Sequence, residues 1–289
     1  MTGRFHLFHS KQLKPIWELR TNALIWRIIF SPSNTIIGET RDQAKKNTSF
    51  FCVDSATGKV LWKEMVYGEP WWIGIETIYD RWMILHGYTR PDMPEHHGVR
   101  IIDLMSGKMV WQNEDISYWF IHNQKLYAHK YVFEKRIGYE IDISNGSVLQ
   151  EYSQNLEVLH DLRKTLIEGE SKESANVTYA EHWDPSEEPR DLKVVVDSIV
   201  GENVLEGWIE YFKRNNILVL SYYRKIEKSE PVFLENILSI YDTDEHEVLF
   251  EQKIGDNLQI PTSDTFFMKN DFVYYINNSH TLTALRPWK

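Results

Sequence analysis

Apolar residues fall along this chain in short runs that come in pairs, each pair joined through a few polar positions: "IIFSPSNTIIGETR" (28–41), "IETIYDRWMILHGY" (75–88), "WFIHNQKLYAHKY" (119–131), "YFKRNNILVLSYY" (211–223) and "FFMKNDFVYYI" (266–276). Runs of this length with such joints predict two short strands each. Four pairs lead into a turn and a further run, at "VDSATGKVLW" (53–62), "IDLMSGKMVW" (102–111), "IDISNGSVLQ" (141–150) and "YDTDEHEVLF" (241–250). In that turn Asp54, Asp103, Asp142 and Asp242 recur, with Gly58, Gly107, Gly146 and His246 four residues on and Trp62, Trp111, Gln150 and Phe250 eight residues on. Asp with Ser, Thr or Asn bonds the local backbone, and Gly accepts positive φ at little cost, so the motif is a hairpin turn.

The unit is therefore a four-stranded antiparallel meander repeating about every 40 to 50 residues, which predicts an all-β chain and a β-propeller. Closed units fall at 25–63, 73–111, 117–152, 208–252 and 264–286, giving five blades, or six if 155–181 contributes one. "KPIW" (14–17) repeats the outer-strand pattern around Trp17 with no blade before it. It is expected to complete the last blade and close the ring, making residues 1–289 a single domain. Residues 153–206 break the repeat and read as an irregular insertion or degenerate blade. Their acidic part, 168–185, is expected to be a surface excursion. Leu192, Val195, Val196 and Ile199 at helical spacing predict a helix near 187–200, with Ser186 as N-cap, Pro189 in the first turn and Gly201 as stop; the rival reading makes Asp197 and Gly201 another blade turn.

The repeat "D-x-x-[ST]-G-K-x-[LV]-W" resembles that of quinoprotein-like propellers, and the whole chain, with "PWWIGIE" and "HGYTRPDMPEHHG", is similar to an uncharacterised propeller family from Bacteroidetes bacteria. The first resemblance would imply a quinone cofactor stacked on a vicinal disulfide beside Ca²⁺. A lone Cys52 cannot form that disulfide, so quinone catalysis is not expected. The second implies a fold and no activity.

Composition narrows the field further. The 289 residues are 42% hydrophobic and 26% charged, ordinary for a globular chain. No apolar run reaches the length of a membrane span, and the N-terminus lacks the apolar segment of a signal peptide. With a single cysteine, this predicts a cytoplasmic protein. A net charge of −10 argues against a nucleic-acid partner.

Candidate chemistry gathers at "GEPWWIG" (68–74), an inter-blade connection, and "HGYTRPDMPEHHG" (86–98), expected to be a proline-stiffened loop on the same face near the channel mouth. Trp71 and Trp72 could stack a ligand or pack between blades. His86, Asp92, Glu95, His96 and His97 could ligate a divalent ion or act as acids and bases, or be solvated. No nucleophile elbow, P-loop or dinucleotide turn is present. The expectation is a non-catalytic scaffold presenting this face to a protein or small ligand, without cofactor, assigned metal ligand or membrane partner. Its rival is a metal-assisted hydrolase or lyase.

Overall fold

The computed structural model describes residues 12–90, 93–169, 177–226 and 231–288. The chain divides into two compact units, Asn22–Ala175 on one hand and Met1–Thr21 with Asn176–Lys289 on the other. Strand β1 (Trp17–Arg20) belongs to the latter.

The Asn22–Ala175 unit holds three four-stranded antiparallel meanders. The first is β2 (Leu24–Phe30), β3 (Thr35–Asp42), β4 (Asn47–Asp54) and β5 (Val60–Met65). Next come β6 (Ile73–Tyr79), β7 (Trp82–Arg90), β8 (Met93–Asp103) and β9 (Met109–Asn113), then β10 (Ser117–His122), β11 (Lys125–Val132), β12 (Lys135–Asp142) and β13 (Val148–Tyr152). Alternation buries one set of apolar residues on each face. Ile37, Phe50, Cys52, Ile75, Met83 and Leu85 share one core, and Trp82, Ile84, Ile101, Leu126 and Ile141 share the next. Burial pushes the Cys52 thiol up to about 11, so it packs as an inert apolar group.

The geometry explains why the turn recurs with its tryptophan. Asp54 Oδ1 accepts from the Thr57 N–H and hydroxyl at 2.8 and 2.7 Å, and Asp103 Oδ1 does the same for Ser106 at 2.9 and 2.8 Å. The Trp62 indole then lies on the turn of the following sheet, donating to the Leu104 carbonyl at 2.7 Å, and a Cβ at Gly107 would come within 2.9 Å of its ring. Trp111 repeats this with the Ile143 carbonyl at 2.7 Å and Gly146 at 2.8 Å. Gly107 and Gly146 thus serve twice: they take positive φ, 65° and 78°, and they leave a flat seat for the preceding indole. The third repeat has Gln150 in place of the Trp. Helix α1 (Leu156–Gly169) packs nearby, laying Leu156, Leu159, Leu162 and Leu166 against Trp119, Phe120 and Tyr127.

The other unit holds two five-stranded antiparallel sheets. One contains β14 (Val177–Tyr179), β20 (Phe266–Lys269), β21 (Phe272–Asn277) and β22 (Thr281–Leu285), with β1 at its other edge. Trp17 pairs with Ala284 and Arg20 with Thr281, so the N-terminal strand supplies the edge of the sheet made by the last strands. The other sheet is β15 (Glu181–His182), β16 (Val204–Arg214), β17 (Ile217–Lys225), β18 (Leu234–Asp242) and β19 (Glu247–Leu258). Phe250 on β19 tilts against Tyr275. Helix α2 (Arg190–Val200) buries Leu192, Val196 and Val200 with Trp183, Ile209 and Tyr222.

Several expectations need correction. Ser186 does not cap α2: its hydroxyl bonds Asp184, and Pro189 occupies the N-cap position without a side-chain bond. Asp197 and Gly201 form no blade turn, because the Gly201 N–H donates to the Asp197 carbonyl at 3.2 Å and ends the helix at φ 73°. The acidic stretch is not wholly an excursion, since β14 and β15 each add a fifth strand to a sheet; residues 170–176 lie outside the described residues. "HGYTRPDMPEHHG" is chiefly strand, with β7 running to Arg90 and β8 starting at Met93.

Five antiparallel sheets with two helices, the described content of the chain, are consistent with a β-propeller.

Candidate functional site

The β6–β7–β8 ladder carries three irregularities, and two of them build the site. Pairing slips between Ile75/Leu85 and Thr77/Ile84, which leaves Glu76 as the extra residue of a bulge on β6. A second slip between Leu85/Arg100 and Gly87/His97 falls at Gly98, whose φ is 74°. Bulges bend a strand and re-aim side chains. After the second one, Tyr88 pairs directly with His96, and His86 lies two residues back on the face of Tyr88. Gly74 pairs with His86 across β6, and a Cβ there would lie 3.2 Å from His86 Nε2 and 3.4 Å from Glu39 Oε2. The missing side chain makes the room that the imidazole fills.

The result is a trio. Glu76 Oε2 lies 2.9 Å from His86 Nδ1 and 2.6 Å from His96 Nδ1. The two imidazoles stack with centroids 3.5 Å apart and planes within 6°. Tyr88 stands edge-on to both, at 5.1 and 5.5 Å, and Trp72 edge-on to Tyr88 at 6.2 Å. His86 is 4% exposed, and neither ring nitrogen has a well-directed hydrogen bond. One carboxylate oxygen cannot lie in the plane of two parallel rings at once, so the close approach to His86 is poorly aimed. Burial works against ionisation of Glu76, yet the close approach of His86 and then of His96 outweighs it and holds the carboxyl below its usual range.

Buried charge surrounds the trio. Glu39, 2% exposed, accepts from Arg41 Nε at 2.7 Å and from the Ile75 N–H at 3.2 Å. Arg41 goes on to the carbonyls of Trp71 and Ile73 at 3.2 and 2.9 Å. Arg100, 6% exposed, pairs with Glu114 at 2.8 Å.

Among the described residues, Glu76, His86 and His96 are the group of His, Cys, Asp and Glu that could hold a metal, their donor atoms all lying within 4.8 Å of one another. Two imidazole nitrogens and one carboxylate oxygen suit zinc and its neighbours, whereas calcium and magnesium favour all-oxygen shells. An ion about 2.0 to 2.1 Å from each donor needs donors about 3.3 Å apart at the tetrahedral angle and must lie in both ring planes. Parallel rings cannot offer that, so one has to turn. The His96 side chain, 41% exposed, is free to do so, while His86 is fixed by burial.

The residues singled out from sequence fare differently. His86 and His96 meet in the trio, on strands and not on a loop, and His86 is buried where a solvated histidine was one expectation. Glu95 and His97 are exposed and stand outside the group. Asp92 lies outside the described residues. Trp71 and Trp72 precede β6; Trp72 reaches the trio through Tyr88, but Trp71 is covered by Arg41 at 5.2 Å and Lys46 at 4.7 Å. Sequence reasoning missed Glu76, since "IETIY" reads as plain strand alternation and gives no sign of a bulge.

Residues 30–111, less than half of the chain, match the model of a family described as a domain of unknown function (DUF4905). The whole trio, with Trp72 and Tyr88, lies inside that span. No curated protein matches the chain. Among solved structures, the chain is similar to the β-propeller domain of Cps50 (Swd1) from Myceliophteria thermophila, at 13% identity and a TM-score of 0.30, over 91% of this chain and 68% of that one. At that score the likeness carries no argument about the site.

Proposed function

We propose that this chain is a non-catalytic β-propeller scaffold, its five sheets serving as blades and β1 completing the last, which binds a small ligand at the β6–β8 end of one blade through a divalent transition-metal ion on Glu76, His86 and His96. The convergence of those three donors from three strands carries the reading, because two bulges and a glycine are spent on bringing them together. The Asp–Gly–Trp repeat, with each indole seated on the next turn, supports the scaffold half. Three protein donors leave a fourth position for a ligand oxygen or nitrogen, with Trp72 and Tyr88 to cover its apolar part.

That open position also favours a second reading, a metal-assisted hydrolase or lyase, in which the fourth position holds a water acidified by the ion. Cobalt separates the possibilities. Protein stripped with chelator and titrated with Co²⁺ should develop the visible absorption of a low-symmetry site at one equivalent and lose it in the variant carrying both His86→Ala and His96→Ala. A cobalt protein with no turnover on a panel of esters, phosphoesters and lactones leaves the scaffold reading standing, and turnover that disappears in the variant replaces it with the enzyme. A parent protein with no cobalt spectrum removes both.

A further inference from the structure

A second cluster, independent of the trio, surrounds Trp119 on β10. The Arg136 guanidinium from β12 sits 4.1 Å above its ring, and His160 from α1 and His129 from β11 meet it edge-on at 4.9 and 5.8 Å. Helix α1 comes this close because Gly138 has no side chain: a Cβ there would lie 2.7 Å from Leu159. Arg163, three residues after His160 and so on the same helical face, adds a further positive charge close enough to act on both His129 and Arg136.

In a chain of net charge −10 this corner gathers positive charge. Among the described residues, no carboxylate comes within ion-pair distance of Arg136 or Arg163. Arg136 Nε and His129 Nδ1 are buried without a hydrogen-bond partner. Burial first, then the charges of Arg136 and Arg163, hold His129 down at about 4, and burial, opposed by Tyr131 and helped by Arg163, lowers Arg136. Stacking on Trp119 fixes the Arg136 plane in advance, which is how a guanidinium is prepared for a planar or tetrahedral oxyanion.

We propose that Arg136, Arg163, His160 and His129, arranged about Trp119, form a binding site for a phosphate monoester. Two guanidinium charges match the charge of a phosphoryl dianion, and their paired N–H groups, with the imidazole N–H groups, match its oxygens. The phosphate can belong to a soluble metabolite or to a lipid headgroup. Beside the site the β11–β12 hairpin exposes Tyr131 and Phe133, at 60% and 99%, which gives an apolar body attached to the phosphate something to lie on.

The test uses the full chain. Calorimetric titration with inorganic phosphate and with a soluble phosphate monoester, at fixed ionic strength, should show saturable binding that weakens at least roughly tenfold in the double variant Arg136→Gln, Arg163→Gln. If that variant is unfolded by circular dichroism, Arg163→Gln alone, on the exposed helix face, should still weaken it. Flotation with phosphatidylcholine vesicles, with and without phosphatidic acid, decides the source: recruitment that requires phosphatidic acid and fails in the variant identifies a headgroup, and binding of the soluble ester alone identifies a metabolite. Binding of none of these probes, or binding of unchanged strength in folded variants, overturns the site.

Discussion

Two corners of the Asn22–Ala175 unit collect histidines beside a tryptophan and use them in opposite ways. At the β6–β8 end, the imidazoles of His86 and His96 close on the carboxylate of Glu76, and the neighbouring arginines are paired, Arg41 with Glu39 and Arg100 with Glu114. At the β10–β12 corner, His129 and His160 flank an arginine that meets no acid among the described residues and stacks on the indole face of Trp119. The difference is where the compensating charge lies. The first corner sets a carboxylate among its imidazoles, whereas the second, among the described residues, sets arginines beside its imidazoles without a carboxylate in ion-pair distance. One sheet neighbour apart in sequence, they are suited to ligands of opposite sign.

The largest effect should come from removing an acid at the first corner. Glu39→Ala leaves the largely covered Arg41 without its acid and is expected to cost up to about 3 kcal/mol in urea unfolding, the low end of the penalty for breaking a buried pair from one side, because Arg41 keeps its carbonyl bonds. Arg136→Met at the second corner removes a charge that no acid pairs, and should change stability by less than about 1 kcal/mol or raise it. Equal losses at the two positions would erase the contrast.

Overpacking distinguishes the corners at the next level. Gly138→Ala drives a methyl into Leu159 and Leu156, at 2.7 and 3.0 Å, and should cost about 1 to 3 kcal/mol by pushing α1 off β12. Gly74→Ala meets His86 Nε2 and Glu39 Oε2 only at 3.2 and 3.4 Å, so it should cost less in stability and show itself instead as weakened metal binding. A Gly74→Ala protein with full metal affinity would mean that the seat of His86 is immaterial.

The last contrast is a pH dependence, confined to acid conditions. His129 ordinarily titrates near 6.5 and is held at about 4 in the folded chain by burial and then by Arg136 and Arg163. Between those values the unfolded chain binds a proton that the folded chain does not, so stability should fall as pH drops from about 6.5 to about 4. His129→Gln should flatten that part of the melting profile. An unchanged slope would show that neither burial nor the arginines depress His129.

How much of this could be read from the chain depends on whether local chemistry or pairing register decides it. The meanders were legible because Asp54, Asp103 and Asp142 bond their own turns and the glycines that follow need positive φ. Helix α1 carries a signal too, with Leu156, Leu159, Leu162 and Leu166 at helical spacing, but the polar residues that dominate the surrounding stretch mask it. The prolines of "RPDMPE" point to a loop, yet β7 and β8 reach into it from either side and pair as far as Arg90 with Met93. Glu76 was out of reach: its role follows from a one-residue slip between β6 and β7, which leaves no mark in the alternation of apolar and polar residues. Arg136 and Trp119 are likewise joined only by the pairing of three strands and the approach of α1.

Whether Glu76, His86 and His96 hold a metal ion together can be read by equilibrium dialysis with zinc. The parent protein should retain one zinc per chain against a metal-free buffer, and the variant combining Glu76→Gln with His96→Ala should retain none while keeping its circular dichroism spectrum and its affinity for phosphate at the other corner. Zinc retained at full stoichiometry by the folded variant, or absent from the parent, would contradict the account.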